Sequence, residues 1–449
     1  MDSVSSKRVT IFTTFADISE AYSLNRVVQD QLKMLLTHDY LPTVIVAESF
    51  VPSGIYADSR ITIKKIPNVP VHNEVKKDET FDEDVQKLYV ALKEVLADSS
   101  VVITHDVIYQ PAALKHNFAA RKVAQELPLL RWLHWIHSAT SPSVLSNLRP
   151  IFNDEYLNLV SKPFPNSFYV FFNHYSVPRV AKDFNVSEDI VRVVPHPSDL
   201  QAVYGLSDDV ARLATDKGVY SADAIAVYPI RLDRGKQVQY VIKTMAMLKH
   251  YSLSVKIIIV DFHSTGGDKL TYRDELKNTA IDYGLSADEL IWTSEYQDSW
   301  KTEIPHSDVM GLMRLANVFI MPSVSESYSL VTQEAGLHKS VMVLNQDFPP
   351  FRDIFGPNAI FKKFSSNWDT QADLAEGSGH TNTDYGPSGA SPEERGNYEK
   401  AYHRGTAGAI ASQLRNDKSQ AMAIFLRKYR NLDYVFVHDL EPLFHEEMR

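Results

Sequence analysis

Short β-branched or apolar runs alternate with longer stretches of helical period along the whole chain, and the series begins twice. Val9–Phe12, Thr43–Ala47, Val101–Thr104, Trp132–Ile136, Tyr169–Phe172 and Val191–Val194 read as strands. Among them lie helical stretches such as Leu24–Leu36, with Leu24, Val27, Val28, Gln31, Leu32 and Leu35 at helical spacing, and Asp84–Leu96. The pattern then restarts with strands at Ala224–Pro229, Val255–Val260, Leu290–Thr293, Val318–Pro322 and Ser340–Leu344. Helices at Val238–Lys249, Tyr272–Tyr283, Val309–Leu315 and Leu330–His338 separate them. Alternation of this kind predicts an α/β fold, a parallel sheet with helices on both faces, built twice. The stretch from Leu200 to Ser221 is polar and carries no strand, so the boundary is expected there. The expected domains are 1–205, 206–415 and a helical tail, 416–449, packing back toward the first. Two doubly wound, Rossmann-like domains would face a cleft, and ligands of open α/β sheets bind outside the carboxyl ends of strands.

One segment departs from this composition. Ala375–Asn397 holds five of the 17 glycines and almost no large apolar residue, so it reads as an exposed loop, with a lid as the sharper alternative. Ala407–Leu414 and Gln420–Tyr429 are helical beyond it. There is no cysteine, which removes disulfide frameworks, thiol nucleophiles and zinc fingers together. The 46 basic and 56 acidic residues give a net charge of −10, which disfavours nucleic acid as a partner without excluding a local basic cleft. The N-terminus, MDSVSSKRVTIFTTF, has no apolar signal region, and no apolar run is long enough for a transmembrane segment. The expected location is cytoplasmic, with peripheral membrane contact left open.

Two clusters could carry chemistry. Tyr228-Pro-Ile-Arg231-Leu-Asp-Arg-Gly235-Lys236 places two cations at a strand's end, near a helix N-terminus. Fixed cations beside unpaired backbone N–H groups suit a phosphate, although a solvated basic turn would read the same way. In Met321-Pro-Ser-Val-Ser-Glu326-Ser-Tyr-Ser-Leu330-Val-Thr-Gln-Glu334, Glu326 falls in a loop and Glu334 on a helix starting near Ser327 or Ser329. Carboxylates accept pairs of hydroxyl hydrogen bonds from sugar rings. The alternative is a capping box, Ser323-x-x-Glu326, with Glu334 merely solvated.

Taken together, Arg231-x4-Lys236 and, about 90 residues on, Pro322-Ser-x-x-Glu326-x7-Glu334 resemble the retaining glycosyltransferases of the GT-B group, the family of sucrose synthases, bacterial glycogen synthases and phosphatidylinositol mannosyltransferases. The resemblance runs from about Ala224 to Phe355 and includes Leu312-Met-Arg-Leu-Ala-Asn-Val-Phe-Ile-Met-Pro-Ser. It extends more loosely to Val191-Arg-Val-Val-Pro195-His-Pro-Ser-Asp199, similar to the family's interdomain segment, with His196-Pro197 replacing the usual Asn-Gly. It implies that Arg231 and Lys236 bind a donor diphosphate, that Glu326 contacts the transferred sugar, and that Glu334 holds the ribose. Ser327, Tyr328, Ser329 and Leu330 would complete the donor site. The implied reaction moves a sugar from a nucleoside-diphosphate sugar to an unidentified acceptor with retention of configuration. The sugar nucleotide is co-substrate, and neither cofactor nor metal is implied, since the acidic pairs Asp208-Asp209 and Glu393-Glu394 lie away from the phosphate cluster.

The chain also departs from the family. Glu326-Ser-Tyr-Ser329 stands for Glu-Gly-Phe-Gly, Val260-Asp261-Phe262 lacks an expected glycine, and Thr13–Ser19 lacks the glycine-rich loop. In Arg131-Trp-Leu-His-Trp-Ile-His-Ser138, strand alternation sends His134 and His137 to opposite faces, so they cannot chelate one metal. By the resemblance His137, at the carboxyl end, is the catalytic candidate and His134 the core residue; His105 is a further strand-end candidate. The alternatives are a non-catalytic homologue that binds carbohydrate or nucleotide sugar, and a transferase acting on a modified nucleic-acid base.

Overall fold

The computed structural model describes residues 7–19, 22–69, 75–137, 148–261, 269–323, 329–364 and 390–446. The chain divides into two compact units, the first formed by residues 1–199 together with 430–449, the second by 200–429.

Among the described residues, unit 1 is built on seven strands: β1 (Arg8–Phe12), β2 (Leu41–Ala47), β3 (Thr62–Ile66), β4 (Val101–His105), β5 (Arg131–Trp135), β6 (Ser167–Phe171) and β7 (Val191–Val193). Their order is β3-β2-β1-β4-β5-β6-β7, and every neighbouring pair is parallel. Parallel strands joined by helical crossovers are covered on both faces, which is why the central ones read as unbroken apolar runs. Alternation along β1 sends Val9 and Ile11 into one core and Phe12 into the other. The first core also takes Leu24, Val28, Leu32 and Leu35 of α1 (Ser23–Thr37). The second takes Leu88, Leu92 and Leu96 of α2 (Phe81–Leu96) and Ala119, Ala120 and Val123 of α3 (Leu114–Glu126).

The end of the chain completes the first of these cores. Val435, Phe436, Leu440, Leu443 and Phe444 are buried in it. Phe436 stacks on His38 at 4.2 Å, the Tyr40 hydroxyl donates to Glu441 at 2.8 Å, and Arg131 donates to the Leu443 carbonyl at 3.1 Å.

Among the described residues, unit 2 carries six parallel strands: β8 (Ala224–Ile230), β9 (Val255–Asp261), β10 (Leu290–Trp292), β11 (Val318–Met321), β12 (Val341–Asn345) and β13 (Ile360–Lys362). The order is β10-β9-β8-β11-β12-β13. Around this sheet lie α4 (Asp208–Asp216), α5 (Val238–Met247), α6 (Lys269–Asp282), α7 (His306–Leu315), α8 (Leu330–Leu337), α9 (Pro392–Asn416) and α10 (Lys418–Tyr429). In both units the chain runs outward to one edge and then returns to the other side of its first strand. The order reverses between β1 and β4, and between β8 and β11, and each reversal leaves a crevice at the carboxyl ends of those strands.

Several expectations need correction. The segment 416–449 is not one tail: α10 belongs to unit 2, where the buried Arg427 donates to the Ala222 and Leu315 carbonyls, and only 430–449 joins unit 1. Of the expected loop 375–397, residues 375–389 lie outside the described residues. Its last residues instead open α9, where Ser391 and Glu394 form a reciprocal capping box. Glu393 and Glu394 therefore occupy a helix's first turn, as Asp208 and Asp209 do in α4. Among the described residues no helix is long and apolar enough to cross a membrane.

Candidate functional site

The loop between β8 and α5 carries three cations. Arg234 is committed: its guanidinium makes a two-pronged pair with Glu275 at 2.7 and 2.8 Å and lies over the Tyr272 ring at 4.7 Å. Arg231 is not. Its side chain is 66% exposed and meets Asp233 only at 3.7 Å. Lys236 is half-buried in the 3-10 turn Arg234–Lys236, and its carbonyl accepts from the Tyr228 hydroxyl at 2.9 Å. The following residue, Gln237, is fully buried and held in the left-handed region at φ 51°. A side chain there costs about 1–2 kcal/mol over the right-handed conformation. What it gains is a tie across the crevice, since its amide Nε2 donates to the Pro322 carbonyl, just past β11, at 2.9 Å. Asn345, at the end of β12, holds the next carbonyl, that of Ser323, at 3.2 Å.

Glu326, Ser327 and Tyr328 lie outside the described residues. Ser329 is the N-cap of α8, in the left-handed region at φ 60°, and its hydroxyl lies 2.6 Å from that of Thr332. Position 329 thus keeps a backbone conformation that favours glycine while bearing serine. Because α8 begins at Leu330 with Ser329 as its cap, Ser323 does not cap α8, and Glu326, the other half of the capping-box alternative, lies outside the described residues. Leu330 is exposed at the helix start, and Glu334, half-buried on the same helix, lies 3.7 Å from His306 Nε2. The fold therefore brings the Arg231–Lys236 loop, and Pro322, Ser323 and Ser329–Glu334 of the second cluster, to the carboxyl ends of two adjacent strands of one sheet.

The missing glycine after β9 has a structural counterpart. The buried Asp261 carboxylate accepts from the Ser294 amide at 3.1 Å and its hydroxyl at 2.6 Å, tying the end of β9 to that of β10.

In unit 1, His134 is enclosed, its Nδ1 2.9 Å from the Thr104 hydroxyl. His137 lies past the carboxyl end of β5 and is half-buried; its backbone N–H donates to the Tyr109 hydroxyl at 2.9 Å. That hydroxyl in turn donates to Asp106. His105 ends β4, wholly buried, with Nδ1 2.9 Å from His137 Nε2 and Nε2 2.8 Å from Gln31 Oε1. His196 stacks on His137 with ring centres 5.6 Å apart and planes 6° from parallel. Burial, and then the neighbouring His196, hold His137 down at about 4; burial, then His137 and His196, keep His105 well below the ordinary range, and burial lowers His196. All three rings are neutral at pH 7. Sequence reasoning missed Gln31 as a site residue and read His196 only as a departure. The legible signal for Gln31 was a polar side chain in the apolar row of α1. Among the described residues no group of three or more His, Asp or Glu is arranged to hold a metal ion.

Residues 211–377 match the model of the family described as glycosyl transferases group 1. No curated protein sequence matches the chain. Similar solved structures include Anabaena HepE in complex with UDP-glucose, 12% identical over 97% of this chain and 98% of that one, TM-score 0.33. A UDP-forming α,α-trehalose-phosphate synthase from Burkholderia xenovorans is 13% identical over 98% and 100%, TM-score 0.34. Sucrose-phosphate synthase from Thermosynechococcus elongatus is 15% identical over 93% and 99%, TM-score 0.30. Over the stretch that holds Arg231, Lys236, Ser329, Leu330 and Glu334, this chain is similar to the group 1 glycosyl transferases.

Proposed function

We propose that the protein is a retaining, metal-independent glycosyltransferase using a nucleoside-diphosphate sugar as co-substrate and no other cofactor. The observation that carries this reading is the pairing of the Arg231–Lys236 loop with the Pro322–Glu334 segment at one strand reversal, inside the stretch matched to group 1 glycosyl transferases. In the reaction, the bond between the sugar's anomeric carbon and the diphosphate oxygen breaks with its electron pair going to that oxygen, a bond from that carbon to an acceptor hydroxyl oxygen forms on the same face, and the hydroxyl's proton passes to the departing diphosphate. Negative charge grows on the departing diphosphate. Arg231 and Lys236, beside the start of α5, act most strongly where that charge develops, so they lower the barrier as well as bind. Glu326 contacts the transferred sugar, Glu334 the ribose hydroxyls, and Ser327, Tyr328, Ser329 and Leu330 line the donor. His137 acts as a hydrogen-bonding group toward the reacting sugar.

A panel of UDP, GDP and ADP sugars, scored for hydrolysis and transfer, tests this. Activity should survive excess EDTA and collapse in folded Arg231→Ala or Lys236→Ala, each costing about 2–4 kcal/mol of barrier. Product NMR should show the donor's anomeric configuration kept. Binding without turnover across the panel would favour the non-catalytic reading, and activity lost with chelator but restored by Mg²⁺ would overturn the metal-free mechanism.

A further inference from the structure

Three polar side chains of unit 1 are linked end to end, from the core outward. Gln31 is buried on the face of α1 that otherwise presents Leu24, Val28, Leu32 and Leu35 to the core. An aliphatic side chain would pack there without the cost of burying an amide, so the amide's presence calls for a reason. Its contact is His105 Nε2 at 2.8 Å, and among the described residues its own Nε2 has no partner. His105 is also fully enclosed, at the end of β4, and passes the chain to His137 Nε2 at 2.9 Å. Only His137 reaches the rim of the unit.

We propose that Gln31 and His105 are positioning residues that hold His137 as the tautomer protonated on Nε2, so that its Nδ1 is offered as a hydrogen-bond acceptor. An amide oxygen only accepts, so the His105 nitrogen facing it carries the proton. A neutral imidazole has a single N–H, which leaves His105 Nδ1 as an acceptor. The facing nitrogen of His137, Nε2, is then the donor, and Nδ1 keeps its lone pair. Both rings are neutral here, because burial lowers the affinity of each for a proton. A lone pair at Nδ1 suits a sugar hydroxyl, which donates, rather than a phosphate oxygen, which accepts. In this way the orientation of one buried amide sets the hydrogen-bonding sense of a ring two hydrogen bonds away. The assignment rests on His137 facing the transferred sugar, but the tautomer can be read without any substrate.

Long-range ¹H–¹⁵N spectra of the histidine-labelled protein at neutral pH report the protonated nitrogen of each ring, the His137 signals being identified by their loss in His137→Asn. The expected result is Nε2–H for both His105 and His137. Gln31→Glu, whose carboxylate can only accept, should keep both. Gln31→Met removes the acceptor at similar volume; His137 should then populate Nδ1–H, and kcat should fall about tenfold with donor KM held within about twofold. A wild-type His137 protonated on Nδ1, or a His137 tautomer unchanged in folded Gln31→Met, would overturn the proposal; the wild-type spectrum decides even if the methionine variant fails to fold. Expected tautomers in a protein that turns over no sugar nucleotide would sink the transferase reading and leave this one standing.

Discussion

Gln237 stands where two demands meet. Its backbone sits in a conformation glycine adopts without cost, while its side chain ties the loop after β8 to the end of β11. Gln237→Gly relaxes the backbone and loses the tie, so stability should change by no more than about 1 kcal/mol because the two effects oppose each other. Donor affinity should nonetheless fall about fivefold, the worth of one hydrogen bond. Gln237→Ala keeps the strain and also loses the bond, so it should be the less stable variant. Urea midpoints and donor titrations check both, and unchanged affinity in the glycine variant would remove Gln237 from the site. The two glutamates should fail in different ways. Under the proposed donor site, Glu334→Gln should raise donor KM, since ribose would be bound alike in ground and transition states, whereas Glu326→Gln should lower kcat, since it would touch the group that changes.

At the scale of elements, the interior strands and the apolar edge strands β7 and β10 were legible, and the edges β3 and β13 were not. β1, β2, β4, β8, β9, β11 and β12 are covered on both faces and show as apolar runs in the sequence. β3, Thr-Ile-Lys-Lys-Ile, lies at an edge, where charged side chains discourage stray pairing and erase the apolar signal; β13, the other missed strand, is a three-residue edge. The first part of α9 was read as loop because its buried residues begin only at His403, although Ser391 and Glu394 carried the capping signal. At the candidate site, charges after strands were readable, while the left-handed turns at Gln237 and Ser329 and the Gln31–His105 contact were not. Those depend on which segments the sheet makes adjacent.

The same helix offers a test of burial. His403 on α9 lies 2.8 Å from the Thr244 hydroxyl on α5, and burial, then the charge of Lys243, lower it from 6.5 to about 3. The folded form therefore binds its proton more weakly than the unfolded form. Its contribution to stability is complete above 6.5 and drains as pH falls toward about 3, with a slope of about 1.4 kcal/mol per pH unit. Urea midpoints between pH 7 and 5 should fall less steeply in His403→Phe, and equal slopes would mean the ring is not the titrating group.

For the whole molecule, the decisive fact is that unit 1 is assembled from two separated stretches and unit 2 from one. Losing 430–449 strips Val435, Phe436, Leu440, Leu443 and Phe444 from a core. At about 1.5–3 kcal/mol for each buried side chain, the loss rivals the whole stability of a typical domain. Fragment 200–429 should unfold cooperatively by itself, whereas 1–199 should bind hydrophobic dye and lack a sharp transition until a 430–446 peptide is added. A cooperative 1–199 fragment would show the tail to be dispensable.

That division also sets a timetable during synthesis. Ribosomes make proteins N-terminal unit first, yet here the first unit begun is the last to be finished. Between residues 199 and 430 the elongating chain takes roughly 10–50 seconds at ordinary translation speeds. Throughout that interval the apolar seat of the tail, including Tyr40 beneath Phe436 and Phe444, stands open. Unit 2, being continuous, can close in the meantime. Nascent unit 1 is thus a client for holding chaperones, and a chain released before residue 430 would carry one finished half and one sticky one.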